Sequence, residues 1–337
     1  MRLCVGTSKG IVIIDPERAR APLAVMANPA SIWCMAQSAG EPEIIYVGSV
    51  EPTHMGDGPA SGTLSRTSDG GKTWADITPV GAYDEGVWAI AASPDVPGQV
   101  YIGTAHARIF RSDDHGRGLR ECTAFLDLPG RDRWTFPPPP HIPHVRAITF
   151  DPANPSTMYV GVEEGGVFRS RDRGASFEAL NRGLYPDVHS LAVDPMDSRQ
   201  LYATTGRGFY RSDNAGSSWK FVARGLSRPY VVPLLVDAAG SGTLYTAGAA
   251  GAPPTWMVHG ADSILFVSTD NGRSFSSFTT DGLWRGMVMA MLQSPQSPDD
   301  LFAVTSDGKV LQWRPREEQI IELASNLPPA YALTALP

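Results

Sequence analysis

Thr67-Ser68-Asp69-Gly70-Gly71-Lys72-Thr73-Trp74 is the stretch on which the fold turns, because the chain repeats it. Ser170-Arg171-Asp172-Arg173-Gly174-Ala175-Ser176-Phe177 and Ser268-Thr269-Asp270-Asn271-Gly272-Arg273-Ser274-Phe275 keep the same pattern, Ser/Thr-x-Asp-x-Gly-x-Ser/Thr-aromatic. Two further copies are degenerate: residues 212–219 carry Asn214 in the aspartate position, and residues 112–119 end on Leu119. Each residue type has a mechanical reason. The carboxylate accepts backbone N–H groups across a hairpin turn, the glycine takes a positive φ without a Cβ penalty, and the aromatic is expected to pack into the next blade of a repeat. One octet arises by chance, whereas five in register mark a repeat protein.

Two other elements each recur seven times. The first is a strand of the form aromatic-apolar-Gly/Ala: Cys4-Val5-Gly6, Tyr46-Val47-Gly48, Tyr101-Ile102-Gly103, Tyr159-Val160-Gly161, Tyr202-Ala203-Thr204, Tyr245-Thr246-Ala247 and Phe302-Ala303-Val304. The second is an apolar strand that usually ends in Ser/Asp-Pro, at 32–38, 87–94, 145–152, 188–195, 231–237, 288–295 and 330–337. Both return at intervals of roughly 43 to 58 residues, the period of four-stranded propeller blades. The apolar copies suit innermost strands buried on both faces. Their last copy ends the chain and the first Tyr-x-Gly copy opens it, so the C-terminal strand should complete the N-terminal blade and close the ring.

These repeats predict an all-β, seven-bladed propeller in one domain over residues 1–337. Blade 1 takes 330–337 plus 1–27, and blades 2 to 7 take 28–79, 80–128, 141–181, 182–223, 224–281 and 282–327. The octets resemble the Asp-box, or BNR, repeat of sialidases, xyloglucanases, sortilin-type receptors and photosystem II assembly factors. That resemblance implies that the boxes are structural turns joining the third and fourth strands on a bottom face. It also implies that ligands are met on the opposite, top face. Three long top-face segments, 50–63, 128–144 and 248–263, are candidates to carry function. The run Pro137-Pro138-Pro139-Pro140 within one of them favours a stiff polyproline II wall.

Bulk properties exclude several classes. With 42% hydrophobic and 19% charged residues, 34 Gly and 29 Pro, the 337-residue chain suits a β-rich protein with many tight turns. A net charge of −7 argues against a nucleic-acid footprint and gives no reason to expect an anionic membrane partner. No P-loop or dinucleotide fingerprint is present, so no nucleotide cofactor is expected. The N-terminus reads straight into a strand, and the three scattered cysteines, Cys4, Cys34 and Cys122, fit a reducing, cytoplasmic setting. Cys4 and Cys34 read as small buried hydrophobes, and the charged string at 117–121 offers to depress the pKa of Cys122.

Six of the seven histidines fall on the predicted top face. His54, His106, His144, His189 and His259 come from several blades and would hold a divalent metal ion. Aligning the inner strands gives a ring at the channel mouth: Trp33, Trp88, Arg146, His189, Val232, Met289 and Tyr331. A second ring, beyond the Tyr-x-Gly strands, reads Lys9, Glu51, His106, Glu164, Arg207, Ala250 and Asp307. A one-residue slip in register would turn this second ring outward.

The leading expectation is a metal-dependent hydrolase or lyase acting on a small molecule, anionic or aromatic, at the top centre. Arg146 and Arg207 would orient an anionic group, Glu51 or Glu164 would act as base, and Trp33, Trp88, Trp256 and Tyr331 would line the walls. The runner-up is a non-catalytic protein-binding or assembly propeller, with the aromatics as interface anchors. A glycan-active hydrolase comes third. It needs a pair of carboxylates, for which Glu51, Asp57, Asp84, Glu85, Glu163, Glu164 and Asp187 are the candidates. The Arg-Ile-Pro motif of sialidases is absent, its nearest match being Arg108-Ile109-Phe110 in blade 3.

Overall fold

A computed structural model describes residues 1–18, 22–51, 62–78, 86–278 and 285–337. The strands form seven four-stranded antiparallel sheets arranged as the blades of a propeller. The inner strands are Ala330–Leu336, Ile32–Ser38, Val87–Ala92, Val145–Phe150, Val188–Val193, Tyr230–Val236 and Val288–Gln293. Ala330–Leu336 pairs with Arg2–Thr7, setting Leu3 opposite Ala335 and Gly6 opposite Ala332, so the ring closes within blade 1. No helix among the described residues is long and apolar enough to cross a membrane.

The Asp boxes behave as their residue types require. Asp270 Oδ1 accepts the backbone N–H groups of Arg273 and Ser274 at 2.9 Å each, and Oδ2 accepts the Ser274 hydroxyl at 2.7 Å. The Ser268 hydroxyl donates to Asp270 and accepts the N–H of Gly272, and Asp69 and Asp172 build the same network. The five box glycines take φ between 69° and 90°. One expectation is corrected: the closing aromatic packs on the preceding blade, not the next. Phe275 meets the edge of Phe209 at 4.8 Å, and the Trp219 indole donates to the Leu180 carbonyl at 2.7 Å. The box lies between the third and fourth strands of its blade, and the outermost strand that follows is only two or three residues long in blades 2 to 6, so the aromatic reaches across to the neighbouring blade that precedes it.

The Tyr-x-Gly strands are more fully buried than the inner ones. Met158–Val162 and Leu201–Thr205 are buried at all five positions, whereas five of the six residues of Val145–Phe150 are only partly buried because that strand lines the axial channel. The glycine serves blade-to-blade contact. A Cβ on Gly103 would lie 2.5 Å from Val145 Cγ1, and one on Gly161 would lie 2.8 Å from Val188 Cγ1. Each valine opens the inner strand of the following blade, so the missing side chain lets neighbouring blades touch.

Every inner strand also carries a β-bulge. Its register slips between Val87 and Ala89, Val145 and Ala147, Val188 and Ser190, and Val288 and Ala290, leaving Trp88, Arg146, His189 and Met289 unpaired. The same slip frees Trp33, Val232 and Tyr331. A bulge re-aims the extra side chain and bends the strand. Here it turns one residue from each of the seven blades to the channel.

Candidate functional site at the channel mouth

The seven bulged residues line one cavity of about 250 Å³. Three aromatic side chains, Trp33, Trp88 and Tyr331, stand together on its wall. Trp33 stacks on Tyr331, with centroids 4.4 Å apart and planes 5° from parallel, and meets Trp88 at 5.2 Å. Trp88 stacks on the His144 ring at 3.8 Å, and Phe136, from the segment preceding blade 4, closes the arc edge-on to His144. The proline-containing segment is thus partly packed rather than free-standing.

Arg146 and His189 also line the cavity, and a buried charged cluster lies beside them. Glu163 follows the second strand of blade 4, and its N–H pairs with the His144 carbonyl, which sets the two side chains next to each other. His144 Nε2 donates to Glu163 Oε2 at 2.9 Å, and Arg146 Nε lies 3.5 Å from the same oxygen. The equivalent backbone pair one blade on joins Gly206 to Asp187. There a Cβ on residue 206 would fall 2.0 Å from Asp187 Oδ2, so glycine is what leaves room for the carboxylate. Asp187 Oδ1 lies 3.2 Å from His189 Nε2, while His189 Nδ1 donates to the Val231 carbonyl at 2.7 Å. The Tyr230 ring sits 4.7 Å from that of His189 and meets Trp256 edge-on.

Electrostatics keep the cluster mixed in charge. Burial works to raise the Glu163 pKa, but His144, His189 and Arg146 outweigh it and hold the carboxyl at about 2. Burial lowers the pKa of His144, so it donates as a neutral imidazole. Burial also opposes charge on His189, yet Asp187 and Glu163 together raise its pKa. Burial and the neighbouring Asp187 and Glu163 raise that of Glu164. Nine buried side-chain polar atoms lack a hydrogen-bond partner among the described residues, and four of them are here: Trp33 Nε1, Trp88 Nε1, Asp187 Oδ1 and His189 Nε2. Such orphans are rare in interiors and mark places where a ligand, ion or water completes the bonding.

The expected site residues therefore divide. Trp33, Trp88, Tyr331, Arg146, His144 and His189 come together at the mouth, and Trp256 stands behind Tyr230. His106 and His259 are exposed, His106 on a hairpin turn at φ 56° and His259 at the end of the helix Pro253–His259, and neither joins the cluster. His54 lies outside the described residues, as do Asp57, Asp84 and Glu85. Glu51 is exposed at an isolated bridge and Arg207 at a hairpin turn, its guanidinium 4.6 Å over the Tyr185 ring. The second predicted ring thus stays on the rim, because its members occupy hairpin turns rather than bulges. Sequence reasoning put Glu163 and Asp187 among glycan candidates but left them out of the histidine cluster. Their signal was position: one directly follows a Tyr-x-Gly strand and the other directly precedes an inner strand.

Fold and mouth together define a seven-bladed Asp-box propeller with an acid–base cluster at one end of its channel. Among known proteins the chain is 26% identical over 254 residues to a xyloglucanase of Hypocrea jecorina, covering 74% of this chain and 26% of that one. It is 27% identical over 264 residues to xyloglucanase Xgh74A of Acetivibrio thermocellus, covering 68% and 30%. The chain thus spans about a quarter to a third of the length of these curated relatives. No family model matches it. Its fold is that of the Niastella koreensis GH74 enzyme (TM-score 0.68, 13% identity, 98% of this chain and 51% of that one). It is equally that of YCF48 bound to D1 peptide (TM-score 0.59, 16% identity, 87% and 80%).

Proposed function

We propose that the protein is a hydrolase acting at the channel mouth on a small ring-bearing substrate, of which a short glycan is the leading class. The observation that carries this reading is one cavity lined by Trp33, Trp88, Tyr331, Arg146 and His189, with the buried Asp187 carboxylate 3.2 Å behind His189 and both of those groups short of a hydrogen-bond partner. Stacking surfaces such as Trp33 on Tyr331 seat the flat face of a sugar, and the free indole N–H groups of Trp33 and Trp88 offer donors to its hydroxyls. Glu163 and Asp187 set two carboxylates side by side, and the partly exposed Glu164 beside them can exchange protons with a bound substrate, as hydrolysis of a glycosidic bond requires. Similarity to xyloglucanases over about three quarters of the chain supports the glycan class.

A second reading, a non-catalytic peptide-binding propeller, draws on YCF48, a single-propeller chain matched over 80% of its length. The test is turnover of xyloglucan oligosaccharides and chromogenic glycosides and esters by the parent and by Trp88→Ala. We expect hydrolysis of at least one substrate, with kcat/KM reduced about tenfold or more in the variant. No turnover across the set by a folded parent would remove the hydrolytic reading and leave the peptide-binding one.

A further inference from the structure

We propose that Glu163, Asp187 and His189 form a binding site for one divalent transition-metal ion, of the Zn²⁺ or Mn²⁺ class. One ligand atom from each residue lies within 4.8 Å of the others, and all three residues are buried. The backbone fixes the chemistry of the histidine. A carbonyl oxygen only accepts, so Val231 O, 2.7 Å away, requires the proton on Nδ1. In the neutral ring Nε2 then presents a lone pair, and it faces Asp187 Oδ1, a second acceptor, at 3.2 Å. Both atoms are buried and neither is aligned to a hydrogen bond. At that distance the pair needs positive charge beside it, which a proton on Nε2 or a metal ion in the proton's place supplies.

An ion satisfies this geometry. With bonds of about 2.1 Å and an angle between roughly 90° and 110°, two ligand atoms stand about 3.0 to 3.4 Å apart. The 3.2 Å edge between Asp187 and His189 is of that length. The surroundings are those of a supported ligand set: the Val231 carbonyl orients His189, His144 and Arg146 hold Oε2 of Glu163, and Gly206 leaves space for Asp187. Two carboxylates and one imidazole suit Zn²⁺ or Mn²⁺ over the soft ions that thiolates select. Three protein ligands are also too few for the six to eight oxygens that Ca²⁺ takes. Of the three, His189 also lines the channel cavity. An ion held there would polarise a substrate oxygen or lower the pKa of a bound water. The site goes beyond the hydrolytic reading and stands on its own geometry.

The test is calorimetric titration of the chelator-treated, dialysed full chain with ZnCl₂ and with MnCl₂, plus elemental analysis. One ion per chain is expected, with Kd of about 1 μM or below for at least one of the two. Asp187→Asn, which preserves shape, should weaken it at least about 100-fold, and Gly206→Ala should weaken it while keeping all three ligands, by displacing Asp187. His106→Ala should bind as the parent does. Binding of neither ion, or binding equally tight in folded Asp187→Asn and His189→Ala, would overturn the proposal. A chain that binds the ion but hydrolyses nothing would keep the site and remove only the hydrolytic reading.

Discussion

At the scale of single residues, the Asp-box carboxylates hold the turns and the cysteines do no chemistry. Partial burial works to raise the Asp270 pKa, but the bonds from Ser274, Ser268 and Arg273 win and hold it at about 2, below its ordinary 3.8. A group whose folded-state pKa is depressed adds stability above its unfolded value and loses it as pH falls through the folded one. Asp270→Ala should therefore cost on the order of 1–3 kcal/mol at neutral pH, toward the lower end because the turn is solvent-screened. The gap between parent and variant should shrink in urea titrations at about pH 2.5; a gap unchanged by pH would contradict the assignment. Cys122 departs from its sequence-based expectation. Burial outweighs the adjacent arginines and pushes its thiol up to about 11, not down, so it stays an unreactive thiol.

Among elements, the contacts that matter run between blades. Gly161 and Val188 belong to adjacent blades and interlock, so Gly161→Ala should overpack the seam and destabilise by about 1–3 kcal/mol. Adding Val188→Ala should recover part of that loss, and a double-mutant cycle with strictly additive effects would show that the two do not interlock. This scale also separates what was legible from what was not. The recurrence of Tyr-x-Gly was visible in the sequence, but its reason, a close approach to the next blade, needed a neighbour in space. The channel ring of Trp33, Trp88, Arg146, His189, Val232, Met289 and Tyr331 was legible because a bulge recurs at the same place in every inner strand. The second ring was not: its members lie in hairpin turns such as those of His106 and Glu164, both at positive φ, where strand alternation no longer decides direction. Glu163 and Asp187 escaped the histidine-based search because each sits one residue beyond the strand used to align the repeats.

For the whole molecule, the two faces of the propeller divide the work. Close glycine seams at Gly6, Gly48, Gly103 and Gly161, together with five hydrogen-bonded boxes, stiffen the seven-bladed ring, and that stiffness lets seven bulged side chains converge on one cavity. In the proposed function, stability belongs to the bottom face and chemistry to the top. The most direct test measures Tm and hydrolytic kcat/KM together in the parent, Asp270→Ala and Asp187→Asn. Asp270→Ala should lower Tm and leave kcat/KM near the parent value, while Asp187→Asn should keep Tm close to the parent's and lose about 100-fold or more in kcat/KM. Activity that falls in step with Tm in both variants, or that survives in Asp187→Asn, would contradict a functional centre at the channel mouth.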